Sequence, residues 1–85
     1  MWSVEYSSEA LKTLIRMDRA IAKRLRSKIV ALARNPLAAN NNVKKLVGID
    51  GYRLRVGDWR IIYTLRHEVL TVVVVRVGHR KEIYQ

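Results

Sequence analysis

Residues 52–63, YRLRVGDWRIIY, place two alternating runs on either side of Gly57 and Asp58, and this pattern leaves the backbone few choices. A two-residue connection that begins with glycine suits a type II′ turn, whose twist matches that of paired strands. The register follows: Val56 faces Trp59, Arg55 faces Arg60, Leu54 faces Ile61 and Arg53 faces Ile62. Tyr52, Leu54, Val56, Trp59, Ile61 and Tyr63 then form one apolar face, while Arg53, Arg55 and Arg60 project together from the other. Like charges opposed across a sheet repel, so Arg55 against Arg60 costs stability unless an anion lies between them. The cluster reads as a phosphate site, and the alternative is a solvated face on which three long arginines splay apart.

The flanking sequence supplies the rest of an α+β domain. Trp2, Val4 and Tyr6 alternate with Ser3 and Glu5, the period of a strand with one buried face. Ser7 and Ser8 can cap a helix carrying Leu11, Leu14 and Ile15, and Asp18 can cap a second one. That second helix presents Ile21, Leu25, Ile29 and Leu32 as a stripe with Arg19, Lys23 and Arg26 on its back, and Asn35-Pro36 stops it. Residues 43–47 form a short, ambiguous extended stretch, and the nearly continuous aliphatic run at 69–77 suggests a central strand covered on both faces. The predicted order is β-α-α-β-β-β, with two helices packed on a mainly antiparallel sheet in a single domain spanning residues 1–85.

Composition narrows the function. With 85 residues and no cysteine, neither disulfides nor a cysteine-based zinc site can staple the fold. The opening residues lack the basic and apolar regions of a secretory signal, and no stretch is long and apolar enough for a membrane helix. These features predict a soluble, cytoplasmic protein without a membrane partner. Seventeen Lys and Arg against seven Asp and Glu give a net charge of +10, which favours a polyanion such as RNA or an acidic protein segment.

After the aliphatic run, residues 77–84 read VGHRKEIY and add His79, Arg80 and Tyr84 where they can curl back over the arginine face. His67 lies in the turn before that run, where an ordinary surface role is expected. Together with the EALKTL helix and the KKL segment at 44–46, the two motifs YRLRVGDWRIIY and VGHRKEIY resemble the RelE/ParE superfamily of type II toxin–antitoxin systems over nearly the whole chain. The resemblance implies two helices on one face of a curved sheet.

It also implies a ribosome-dependent endoribonuclease that cleaves mRNA by attack of a ribose 2′-hydroxyl on the adjoining phosphate, without metal or other cofactor, and that an antitoxin neutralises. Arg53, Arg55 and Arg60 would stabilise the phosphate, Arg80 would assist the leaving group, and Tyr84 would stack on or orient the nucleotide. Arg19, Lys23, Arg26, Lys44 and Lys45 are further candidates for RNA contact. Well-known members of the superfamily carry lysines where this chain has Arg53 and Arg55, and arginine does not give up its proton. Histidine, with an ordinary pKa of about 6.5, makes His79 the candidate base, unless positioning alone activates the hydroxyl. Two other functions fit the same charge: a toxin directed at DNA gyrase, and a non-catalytic basic module that docks an acidic partner.

Overall fold

The computed structural model describes residues 1–83 as β1 (Ser3–Tyr6), α1 (Ser8–Arg16), α2 (Arg19–Arg34), β2 (Val43–Lys45), β3 (Tyr52–Val56), β4 (Trp59–Arg66), β5 (Thr71–His79) and a short terminal α3 (Arg80–Ile83). The strands form one sheet in the order β1-β5-β4-β3-β2. Only the β1–β5 pairing is parallel, since two helices intervene between β1 and the later hairpins.

Local chemistry sets the helix boundaries. Ser7 Oγ accepts from the Ala10 N–H at 3.0 Å, and Asp18 Oδ2 accepts from the Ile21 N–H at 3.2 Å, so each helix start gains a side-chain acceptor. Asn35, ahead of Pro36, closes α2. One core cluster joins Ala10 and Leu14 of α1 and Leu25, Ile29 and Leu32 of α2 to Leu54, Ile61, Tyr63, Val72, Val74 and Val77 of the sheet. Both long helices therefore cover the same face. Burying a side chain such as Leu25 or Ile29 contributes roughly 1.5–3 kcal/mol.

The hairpin has the expected register, including Arg55 opposite Arg60. Gly57 has φ +59° and Asp58 is not in the left-handed region, which is the signature of a turn needing glycine at its first position only.

Two expectations give way. On α1, Leu14 is buried but Leu11 and Ile15 stand at the surface, because the small residue Ala10 supplies the second contact with the sheet. The aliphatic run is an interior strand but not the middle one, and it is covered by helices on one face only: Val72, Val74 and Val77 are buried, while Val73 is half-buried and Val75 exposed. Its inward positions do not keep a strict period of two. Ile62 pairs with Arg76 but Tyr63 with Val74, so Val75 is an extra residue that reverses the facing of everything after it.

Candidate functional site: a guanidinium cluster at the hairpin tip

Residues paired across strands share a face, so Lys44, Arg53, Arg55 and Arg60 all stand on the side of the sheet away from α1 and α2. With Asn41 and Asn42 they line a cavity of about 150 Å³. The opposed arginines do not simply splay into water. Arg55 Nη2 donates to Asn42 Oδ1 at 3.1 Å, and the Arg55 backbone N–H donates to the Asn42 carbonyl at 2.8 Å, tying the 35–42 loop to the strand.

Arg60 folds back on the turn: its Nη1 donates to the Gly57 carbonyl at 2.8 Å and to the Trp59 carbonyl at 2.9 Å. It is only 6% exposed, so the expectation of a fully projecting side chain is corrected. The carbonyl contacts offset part of the repulsion from Arg55 and fix one guanidinium at the hairpin tip.

The chain after β5 does return to this face. Arg80 donates its backbone N–H to the Asp58 carbonyl at 2.8 Å, and its Nε stands 3.8 Å from Asp58 Oδ1. A Cβ at Gly78 would lie 2.9 Å from Ile83 Cγ1, so the absence of a side chain at residue 78 leaves room for Ile83 to pack α3 against the sheet. Glu82 Oε1 accepts the His79 N–H at 3.1 Å and so helps start α3.

His79 is not part of the cluster. It pairs with Trp59 on the opposite face, its ring edge-on to the indole at 5.7 Å, and its Nδ1 accepts from the Lys81 N–H at 3.3 Å. The extra residue at Val75 is the cause: a strict alternation from Val72 and Val74 would have turned His79 toward the arginines. His67 packs edge-on against Trp2 at 5.4 Å, far along the sheet from the hairpin tip. Among the described residues that line the small cavity, Lys44 is therefore the one side chain that can exchange a proton, since arginine holds its own and asparagine has none to give.

The other expected RNA contacts divide. Lys45 shares the Tyr52 side of the sheet and lines a hollow with Leu37 and Val43, away from the cluster. Arg19, Lys23 and Arg26 lie with Ile15 and Met17 beside α1. The α2 cations that line an open groove of about 810 Å³ with Arg55, Arg60 and Arg80 are instead Arg34 at the helix end and the pair Arg24 and Lys28. The i, i+4 spacing of that pair on the flank of the apolar stripe was the available signal. Tyr84 lies outside the described residues. No helix among the described residues is long and apolar enough to cross a membrane.

A mixed five-stranded sheet with two helices on one face and an arginine-bearing hairpin defines a toxin of the RelE fold. It superposes on the toxin–antitoxin complex RelBE2 of Mycobacterium tuberculosis with TM-score 0.80 and 27% identity, covering 93% of this chain and 98% of that one. Against the RelB–RelE antitoxin–toxin complex of Methanococcus jannaschii the TM-score is 0.72 with 30% identity, over 94% of each chain. The mRNA interferase toxin RelE of Escherichia coli K12 is 24% identical over 95% of this chain and 87% of its own length. Residues 4–84 match the family described as ParE toxin of type II toxin-antitoxin system, parDE, and the chain belongs to that family, within the RelE/ParE superfamily.

Proposed function

We propose that this chain is an RNA-cleaving toxin acting on translated messages in the cytoplasm. The observation that carries the reading is the convergence of Arg53, Arg55, Arg60 and Lys44 on one small cavity, with Arg80 at the hairpin tip beside it. In the proposed reaction a ribose 2′-oxygen bonds to the adjoining phosphorus as its proton passes to a base, and the bond to the 5′-oxygen of the next nucleotide breaks, that oxygen taking up a proton from solvent. The products are a 2′,3′-cyclic phosphate and a 5′-hydroxyl. Negative charge builds on the phosphate oxygens, and donors fixed before the reaction lower that barrier without reorganising.

Arg60, held at its carbonyl partners, is the most preorganised of these donors, and Arg53 and Arg55 flank it. Lys44 is the proton acceptor to test, and Arg80 is placed to assist the departing oxygen. The cavity is small and open, so the ribosome would orient the message, an effect worth roughly 7–11 kcal/mol of barrier. An acidic antitoxin segment would cover the basic surface, as the toxin–antitoxin complexes of the structural relatives suggest.

Primer extension on a translated message after induction of this chain alone tests the proposal: new 5′ ends within the coding region are expected, and their absence would reject it. The family's ParE description favours one second reading, a toxin directed at DNA gyrase. In that case induction would arrest gyrase supercoiling and leave the message intact.

A further inference from the structure

The small cavity does not end at the arginine cluster. Asn42, Arg55 and Arg60 line both it and the larger groove that wraps round the hairpin tip toward α2, so the two form one continuous basic surface. The far wall of the groove is helical. Arg24 lies against the turn itself: a Cβ at Gly57 would stand 3.7 Å from its Nη1 and 3.8 Å from its Nη2. Lys28 follows one turn later on the same helix face.

Like charges at this spacing destabilise a helix by about 0.2–0.5 kcal/mol, and α2 contains no carboxylate to offset them. Among the described residues, no ion pair engages either side chain, and Asp58 is the one acid in the groove lining, already beside Arg80. A closely placed pair of exposed cations, aligned with a phosphate-sized cluster and separated from it only by a glycine turn, matches a second anion of the same ligand.

We infer that Arg24 and Lys28 hold a backbone phosphate of the substrate RNA strand, next along the chain from the phosphate gripped by Arg53, Arg55 and Arg60. The inference rests on the RNA-cleaving reading above and extends it: the strand turns round the hairpin tip and is held on both sides of it. Lys28 and Arg24 act in binding and touch no reacting atom. Both are exposed, so their replacement leaves the core intact.

The test uses the intact chain and a short single-stranded 2′-O-methyl oligoribonucleotide, which cannot be cut. The Arg24→Ala/Lys28→Ala variant should bind it roughly tenfold more weakly, the usual loss for a hydrogen-bonded charge contact. The slope of log affinity against log salt should fall by about 0.7, the value for one phosphate on a single strand. The control Lys12→Ala/Arg16→Ala removes the same charge from exposed positions on α1 and should keep the wild-type slope.

Wild-type affinity and slope in the Arg24/Lys28 variant would overturn the inference. So would wild-type oligonucleotide binding combined with lost sedimentation on ribosomes, which would assign the pair to ribosomal RNA. Primer extension separates this from the parent reading. A chain that binds through the pair yet cuts no message keeps the groove and loses the cleavage; a double variant that cuts with wild-type salt dependence keeps the cleavage and loses the groove.

Discussion

Arg80 meets Asp58 twice, through its backbone N–H on the Asp58 carbonyl at 2.8 Å and through its Nε 3.8 Å from Oδ1. The backbone bond anchors the start of α3, and the side-chain contact parks a guanidinium against Asp58, the one acid among the described residues that line the groove. Both side chains are more than half exposed, so the ion pair contributes at most about 1 kcal/mol to stability. Asp58→Asn should leave the melting temperature nearly unchanged while freeing Arg80 for RNA. The expected result is tighter binding of single-stranded RNA and a steeper salt dependence in filter-binding measurements, and weaker binding would contradict it.

Arg55 and Arg60 oppose each other on the hairpin but are held differently, and their alanine variants should separate accordingly. Arg60 is buried against two carbonyls, so Arg60→Ala should cost about 1.5–3 kcal/mol. A domain of this size loses roughly 4–8 °C of Tm per kcal/mol. The single-turnover cleavage rate on programmed ribosomes should fall by ~10²–10³ in the same variant. Arg55→Ala, at an exposed position, should lose rate with stability changed by less than about 0.5 kcal/mol. Equal losses of stability in the two variants would show that the difference in burial has no energetic consequence.

Proton transfer distinguishes His79 from Lys44. His79 faces Trp59 across the sheet from the cluster, so His79→Gln should retain most of the cleavage rate. Lys44→Arg keeps a basic group at this position but removes one that can give up its proton and then act as base, and should lower the rate by ~10²–10⁴ with a changed pH profile. A fully active Lys44→Arg variant would leave Lys44 with an electrostatic role only.

Tyr63 is 1% exposed, stacks on Tyr52 at 5.4 Å, and buries its hydroxyl with no hydrogen-bond partner among the described residues. Burial, aided by the neighbouring Tyr52, pushes its pKa up to about 12. The folded state thus holds this proton above pH 10, where the unfolded chain releases it. Its contribution is complete below pH 10 and is lost as pH rises toward and through about 12. Burial also raises Tyr6, although Arg26 partly opposes the shift. Tyr63→Phe should be at least as stable as wild type at pH 8 and should lose less stability between pH 10 and 12, as measured by urea unfolding. A marked loss for Tyr63→Phe at pH 8 would mean that the hydroxyl is satisfied in solution.

Gly78→Ala probes the seat of α3. The added Cβ would meet Ile83 Cγ1 at 2.9 Å, so the Ile83 side chain must give way, and any shift of α3 that follows carries Arg80 with it. Cleavage should fall more than stability does, because α3 is a short surface element while Arg80 depends on its position. Unchanged cleavage would show that Arg80 reaches its place without α3.

The sequence by itself determined whatever depends on neighbours along the chain. The Gly57-Asp58 turn fixed the hairpin and so opposed Arg55 to Arg60; Ser7 and Asp18 set the helix starts; Asn35-Pro36 set the end of α2. Each of these is a short-range backbone preference readable from residue type. Tertiary structure decided where the side chains went relative to other elements. The extra residue at Val75 arises from how β5 pairs with β4, and it reversed His79 away from the cluster although its own sequence window carries no sign of it. Arg24 and Lys28 joined the site, and Arg19, Lys23 and Arg26 did not, because the packing of Leu25 and Ile29 on the sheet fixed the rotation of α2 about its axis. Arg60 became buried because the turn carbonyls lie within reach of its guanidinium, a distance set by the folded hairpin and not by any pattern of residue types.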